Sequence, residues 1–268
     1  MLRARSSVFV DLPAAGIVAR VEAPGGEEVA RTQVWVATLL AQRGSPVATL
    51  FRPETQPILV GDVPVTLWHR LGELKEPGFR LLGQTLRAFH RPTRGERPQG
   101  AIDLDPFVRP RNELAWPSAW SGSEASAELS RRLDEIEQDW AAASRDDPLG
   151  SAVVHGDVHA DNIMLGDDGP VLIDLEDAGF GPASWDFVPL TVQVRRYGLS
   201  PASRNAFLAG YGVEAKEWPG FDLMCQLYEI LSVAWAMRCS ADSSLMADEA
   251  RIRVDGLLHG SETPWRLL

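Results

Sequence analysis

The chain has 268 residues, 45% of them hydrophobic, and a formal charge of −11. That is enough apolar material for a substantial core, as one large domain or two modest lobes, and it excludes a disordered or fibrous chain. Residues 1–70 carry seven arginines and six acids and the remainder 19 bases and 31 acids, an acidic body that argues against nucleic acid and is compatible with a cationic small substrate.

Arg3 and Arg5 precede an apolar run, but Asp11 and Pro13 interrupt it, so it does not read as a signal peptide. Residues 7–11 and 17–21 are short β-branched runs joined by Leu-Pro-Ala-Ala-Gly, the pattern of a hairpin. Over 27–43, Val29, Val34, Val36, Leu39 and Leu40 recur at helical spacing, and Gly44 ends the helix. Strands are expected at 48–52, 58–60 and 63–67, the last running into Trp68, His69 and Arg70. An amphipathic helix over 78–90 presents Leu81, Leu82, Leu86 and Phe89, and His90 reads as a packed terminal histidine. Residues 91–123, rich in Pro, Arg and Gly, predict a long linker or lid with little regular structure.

A charged helix over 124–143 puts Leu129, Leu133, Ile136 and Trp140 on one face. Beyond residue 180 the pattern is helical at 184–197, 200–211, 221–239 and 246–259, with Tyr228, Trp235 and Trp265 as core residues. The two cysteines, Cys225 and Cys239, lack a paired-thiol motif and read as reduced core residues of a cytoplasmic protein. No stretch is long enough to span a bilayer, and no G-x-x-x-x-G-K-[ST] is present, which excludes a P-loop kinase.

The densest chemistry lies in 153–180, VVHGDVHADNIMLGDDGPVLIDLEDAGF. Asp157 and Asn162 stand five residues apart, and two apolar strands around Asp167-Asp168-Gly169 fold back to bring Asp174 beside Asn162. An Asp, an Asn and a second Asp then face one small volume. Asp157 and Asp174 each abut an apolar strand, unlike the solvated tip at Asp167 and Asp168. The His-x-Asp-x-His-x-Asp string also admits a di-metal hydrolase, since His and Asp are zinc or iron ligands.

The same spacing occurs in protein kinases, and with His155-Gly156-Asp157, Ile-Asp-Leu-Glu-Asp and the downstream GPASWDF the chain resembles the aminoglycoside phosphotransferase and choline kinase-like family. The resemblance implies an α+β, two-lobed protein-kinase-like fold, with a small β-rich nucleotide-binding lobe and hinge at 1–71 and a mainly helical lobe at 72–268. It makes Asp157 the catalytic carboxylate, Asn162 and Asp174 the magnesium ligands, and Arg20 the phosphate-binding cation. Trp68, His69 and Arg70 become the hinge whose backbone bonds the nucleotide base. Ser6 and Ser7 help cover the phosphates, in a lobe that reads as short of a strand and of a Gly-rich loop. His155 and Asp186 support the catalytic loop. The family's helix donates a Glu to its strand lysine, but the matching position here is Gln33, which leaves Arg20 to be oriented by Glu27 or Glu28.

The implied reaction is ATP- or GTP-dependent, Mg2+-assisted O-phosphorylation of a small hydroxylated molecule, with an antibiotic as the leading class. Asp222 and Glu229, on helices after Asp186 with few bases close in sequence, are the candidate acceptor-binding residues for a cationic acceptor. A degenerate kinase that holds nucleotide without turnover is the binding-class alternative, favoured by Gln33 and opposed by the intact Asp157, Asn162 and Asp174. Neither nucleic acid nor membrane is expected as a partner, and the oligomeric state is open.

Overall fold

The computed structural model describes residues 7–213 and 218–267, and the chain forms two compact units. The first gathers the residues up to Leu104, Ser151–Gly181 and the stretch from Ala206. The second gathers Asp105–Gly150, Pro182–Asn205 and the C-terminal helices.

In the first unit β1 (Ser7–Leu12) and β2 (Ile17–Glu22) form the expected hairpin. After α1 (Glu27–Gln42) come β3 (Ile58–Val60) and β4 (Val63–His69), completing a four-stranded antiparallel sheet in the order β1-β2-β4-β3. Phe9 faces Arg20 across the first pair and Arg20 faces Thr66 across the second. Strand alternation therefore puts Arg20 and Glu22 on one face and Ile17, Ala19 and Val21 on the other. Glu27 and Glu28 occupy the first turn of α1, where the helix dipole favours carboxylates, and Gly44 at φ 69 ends it in a left-handed conformation.

Residues 48–52 do not form the strand that their composition suggests. Leu50 alone makes a bridge, to Trp68, after one from Val47 to Leu172 just before them, and Arg52 turns to φ 53 and ends the extended path before Pro53.

α2 (Phe79–His90) buries Leu82, Leu86 and Phe89. It approaches the turn around Gly210 so closely that a Cβ on Gly83 would sit 2.1 Å from the Phe207 carbonyl oxygen, and one on Gly210 2.1 Å from that of Arg80. Glycine is required at both places, and the contact lets His90 Nδ1 meet the Tyr211 hydroxyl at 2.9 Å. β5 (Ser151–Val154) pairs with β8 (Gly179–Pro182). Between them β6 (Ile163–Gly166) and β7 (Gly169–Leu172) form a hairpin in which Gly166 faces Gly169, leaving Asp167 and Asp168 as its two-residue turn.

The second unit is helical: α3 (Val108–Ala115), α4 (Glu124–Arg145), α5 (Val188–Arg196), α6 (Pro201–Tyr211, its C-terminal half belonging to the first unit), α7 (Pro219–Cys239) and α8 (Ser244–Leu258). α7 is buried along most of its length and forms the core against which α3, α4, α5 and α8 pack. Ser123 caps α4 by accepting from Ser126 N at 3.2 Å, and Ser243 caps α8 from Met246 N at 3.2 Å.

Two helical expectations need correction. The segment 91–123 contains α3, which forms despite its composition because Pro110 is buried and Glu113 pairs with Arg238 of α7. The helix expected over 184–197 is a 3-10 turn, Ala183–Phe187, followed by α5 with Pro189 in its first turn. Phe107, Trp140, Trp185 and Tyr228 form a chain of edge-on rings at 5.6, 5.6 and 6.4 Å, which accounts for these aromatics as core. Among the described residues no helix is long and apolar enough to cross a membrane.

Candidate active site

The loop from β5 to β6 passes through Gly156 at φ 90, where a Cβ would lie 2.1 Å from the Asp177 carbonyl oxygen. Only glycine lets the backbone pass there, which accounts for Gly between His155 and Asp157. His155 is fully buried, and its Nε2 lies 2.6 Å from the Ile173 carbonyl, which can only accept. That fixes the proton on Nε2, so Nδ1 accepts from the Asp157 amide at 3.3 Å. The imidazole thereby ties the loop bearing Asp157 to the segment leading into Asp174.

Asn162 is buried, and its Nδ2 donates to the Asp157 carbonyl at 2.9 Å across the five-residue interval. Its Oδ1 is left to face elsewhere. The Ile173 amide donates to the Asn162 carbonyl at 3.0 Å, which brings the end of β7 alongside. Asp174 follows at φ 62, a left-handed conformation uncommon for any residue but glycine.

Arg20 reaches this segment from β2. Its Nη1 lies 2.5 Å from Asp174 Oδ1, its Nη2 pairs with Glu176, and its Nε lies 2.7 Å from Glu22 Oε1. The guanidinium also lies over the Phe9 ring, 5.3 Å from its centroid. Burial alone would lower the Arg20 pKa, but Asp174, Glu176 and Glu22 outweigh it and raise it further above the ordinary arginine value. The charge is permanent.

The acid that meets Arg20 Nε is Glu22 on its own strand, and Glu27 does not reach it. Glu27 is exposed and pairs with Arg31 on its own helix. Gln33 is fully buried and donates from Nε2 to Glu22 Oε1 at 3.0 Å. Sequence reading missed Glu22 and Glu176, although each stands two residues from a residue singled out, Arg20 or Asp174. Period-two alternation was the signal available for Glu22.

The donor set suits a hard divalent cation: Asn162 Oδ1 and the Asp174 carboxylate are oxygen donors of the kind such a cation takes, on segments joined by the Ile173 amide to Asn162 carbonyl bond. It suits a di-metal centre poorly. Among the described residues no three His, Cys, Asp or Glu side chains converge on a metal position, and both His155 nitrogens are engaged.

Other expected residues lie as follows. Ser6 is outside the described residues, and Ser7 is buried at the start of β1, opposite Glu22. The His69 amide donates to the Thr49 carbonyl and the Arg70 amide to the Gly16 carbonyl, at 3.0 and 2.9 Å, while Trp68 is paired with Val18 in the sheet. Asp186 is fully buried in the 3-10 turn of the second unit.

Also in the second unit, Asp222 accepts from Arg195 at 2.9 Å and from Gln226 at 2.8 Å, and these partners hold its carboxyl below the usual range. Glu229 is buried and bidentate with Arg196 at 3.0 and 2.9 Å. These acids therefore do not lack compensating bases, because the partners come from α5, remote in sequence. Glu229 and Arg196 line a cavity of about 390 Å³ with Arg132, Glu135, Asp139 and Gln226 among its walls.

Comparison with known proteins gives a family and a fold. The model of a phosphotransferase enzyme family matches residues 4–224. No curated protein sequence matches the chain. Among solved structures, an amicoumacin kinase in complex with AMP-PNP, Ca2+ and Ami is 15% identical, with 98% of this chain and 91% of that one covered and a TM-score of 0.70. The choline kinase LicA from Streptococcus pneumoniae is 14% identical over 95% of this chain and 90% of its own, with a TM-score of 0.61. The aminoglycoside phosphotransferase APH(3'')-Id from Streptomyces rimosus is 14% identical over 86% and 90%, with a TM-score of 0.62. These likenesses show the two-lobed protein-kinase-like fold.

Proposed function

Because the chain belongs to the phosphotransferase enzyme family and is a small-molecule kinase, we propose that it moves the terminal phosphate of ATP or GTP, with Mg2+, to a hydroxyl of a small natural-product-like acceptor. The observation that carries this reading is the meeting of Arg20 and Asp174 within one compact unit that also holds Asp157 and Asn162.

Asp157 accepts the proton of the acceptor hydroxyl as its oxygen bonds to the terminal phosphorus and the bond from phosphorus to the bridging oxygen of the nucleoside diphosphate breaks. Asn162 Oδ1 and Asp174 hold the divalent cation, which when bound neutralises charge on the phosphates. Arg20 turns Nη groups from the carboxylates to phosphate oxygens, a planar fork suited to them. His155 and the Asn162 amide keep the Asp157 backbone fixed.

For the base, Trp68, His69 and Arg70 form the connection that borders the nucleotide. Ser7, at the start of β1, stays assigned to covering the phosphates.

The acceptor class is an antibiotic or similar hydroxylated natural product, with Asp222 and Glu229 assigned to its binding. Incubation of the purified chain with ATP or GTP, Mg2+ and a panel of hydroxylated compounds, read by mass spectrometry for the gain of one phosphate, tests the reading. Failure of every alcohol while the nucleotide still binds would favour a nucleotide-holding protein without turnover.

A further inference from the structure

Resting on the reading of Arg20 as the phosphate-binding cation, we propose that Glu22 is its positioning residue, and that Gln33 is neutral because the orienting carboxylate of this chain stands on the strand and not on α1. Glu22 and Arg20 are two positions apart on one face of β2, and both are buried. A single oxygen, Glu22 Oε1, receives Arg20 Nε at 2.7 Å and Gln33 Nε2 at 3.0 Å.

The three guanidinium nitrogens are divided in a way that gives this pair a function. Nη1 and Nη2 hold Asp174 and Glu176, on the segment assigned to the metal and the phosphates. Nε alone is anchored to the sheet, so the Nη groups can pass from carboxylate to phosphate while the side chain keeps its direction. A lost anchor leaves Arg20 held by the carboxylates that it must release and by the face of the Phe9 ring, which fixes no single direction.

The amide at position 33 follows from the same geometry. A carboxylate there would face that of Glu22 at hydrogen-bond distance within a buried site, and two like charges so placed cannot both stay ionised. A glutamine donates instead. It does so although its Oε1 is buried and unpaired among the described residues, an expensive arrangement for a residue that only packs.

The experiment moves the charge. Glu22→Gln removes the strand carboxylate with its shape kept, and Glu22→Gln/Gln33→Glu returns one carboxylate to the same buried neighbourhood from the helix. Turnover and nucleotide KM are measured with ATP and with GTP, alongside the melting temperature and the solvent-exchange protection of the Arg20 Nε–H resonance, assigned with Arg20→Lys.

The expected result is a fall in kcat of about tenfold or more in Glu22→Gln, with a smaller change in KM. Protection of the Nε–H is lost as well, and both return to within about threefold of the parent in the double variant. A Glu22→Gln variant that matches a phosphorylating parent in turnover and protection overturns the inference alone. So does a folded double variant that recovers melting temperature without turnover, which marks the pair as structural. A parent that transfers no phosphate and binds no nucleotide overturns the functional reading, and the role of Arg20 with it.

Discussion

Arg20 and Asp174, 154 positions apart, meet at 2.5 Å, so the cation assigned to the phosphates rests on the carboxylate assigned to the metal. Under the proposed function, the two side chains neutralise one another until nucleotide and cation bind.

This contact predicts opposite effects from one substitution. Arg20→Ala weakens nucleotide binding by roughly 1.5–3 kcal/mol, the range for hydrogen bonds to charged groups. The same variant frees Asp174 and binds Mn2+ alone more tightly than the parent does. Calorimetric titration with Mn2+, with and without nucleotide, checks both. Parallel losses of nucleotide and Mn2+ would mean that Arg20 only holds the site together.

Asn162 is expected to serve two atoms at once. Its Nδ2 fixes the Asp157 carbonyl at 2.9 Å while its Oδ1 is assigned to the cation. Asn162→Ala therefore raises the Mg2+ concentration needed for half-maximal turnover and also lowers kcat at saturating Mg2+. A Mg2+ titration that overlays the parent's would remove Asn162 from the metal site.

Glu229 carries its charge in a buried pair with Arg196. Glu229→Gln leaves a partly exposed arginine without its partner, so a loss of about 2 kcal/mol is expected, below the range for fully buried pairs. Thermal or urea denaturation gives the value, and Glu229→Gln/Arg196→Gln should recover part of it. The acceptor KM, measured on the same variants, rises in both if Glu229 also contacts the acceptor.

Cys225 links stability to alkaline pH. Burial pushes its thiol up from an ordinary value of 9.0 to about 12, despite the opposing charge of Arg195. The unfolded thiol thus loses its proton before the folded one does. Its contribution is constant below pH 9 and falls as pH rises from 9 to 12, on the order of 1 kcal/mol per pH unit. Cys225→Ala should flatten that slope in denaturation curves across the window, and the native thiol should resist alkylation at pH 8.

The catalytic loop was legible in the sequence because its chemistry is local. The turn at Asp167-Asp168 dictates the register that brings Asp174 back beside Asn162, so spacing alone predicts the neighbours. Arg20 was legible as a charge on a strand, and Gln33 as a missing one. Glu22 was legible only through strand alternation, which puts it on the face of Arg20, whereas the resemblance points to the helix for the orienting acid. The pairing of Asp222 and Glu229 with Arg195 and Arg196 was not legible, since it depends on how α5 packs against α7. Helix α3 escaped for a similar reason: its Glu113 finds Arg238 only in the folded unit.

Turnover of Asp157→Asn, set beside its nucleotide affinity, decides whether this loop does the chemistry. The substitution keeps the side-chain shape and removes the base that takes the acceptor's proton. Turnover should fall on the order of 100-fold or more, with nucleotide Kd within about twofold of the parent, because Asp157 addresses the hydroxyl and not the phosphates. Turnover near that of the parent would contradict the assignment of Asp157 as the catalytic carboxylate.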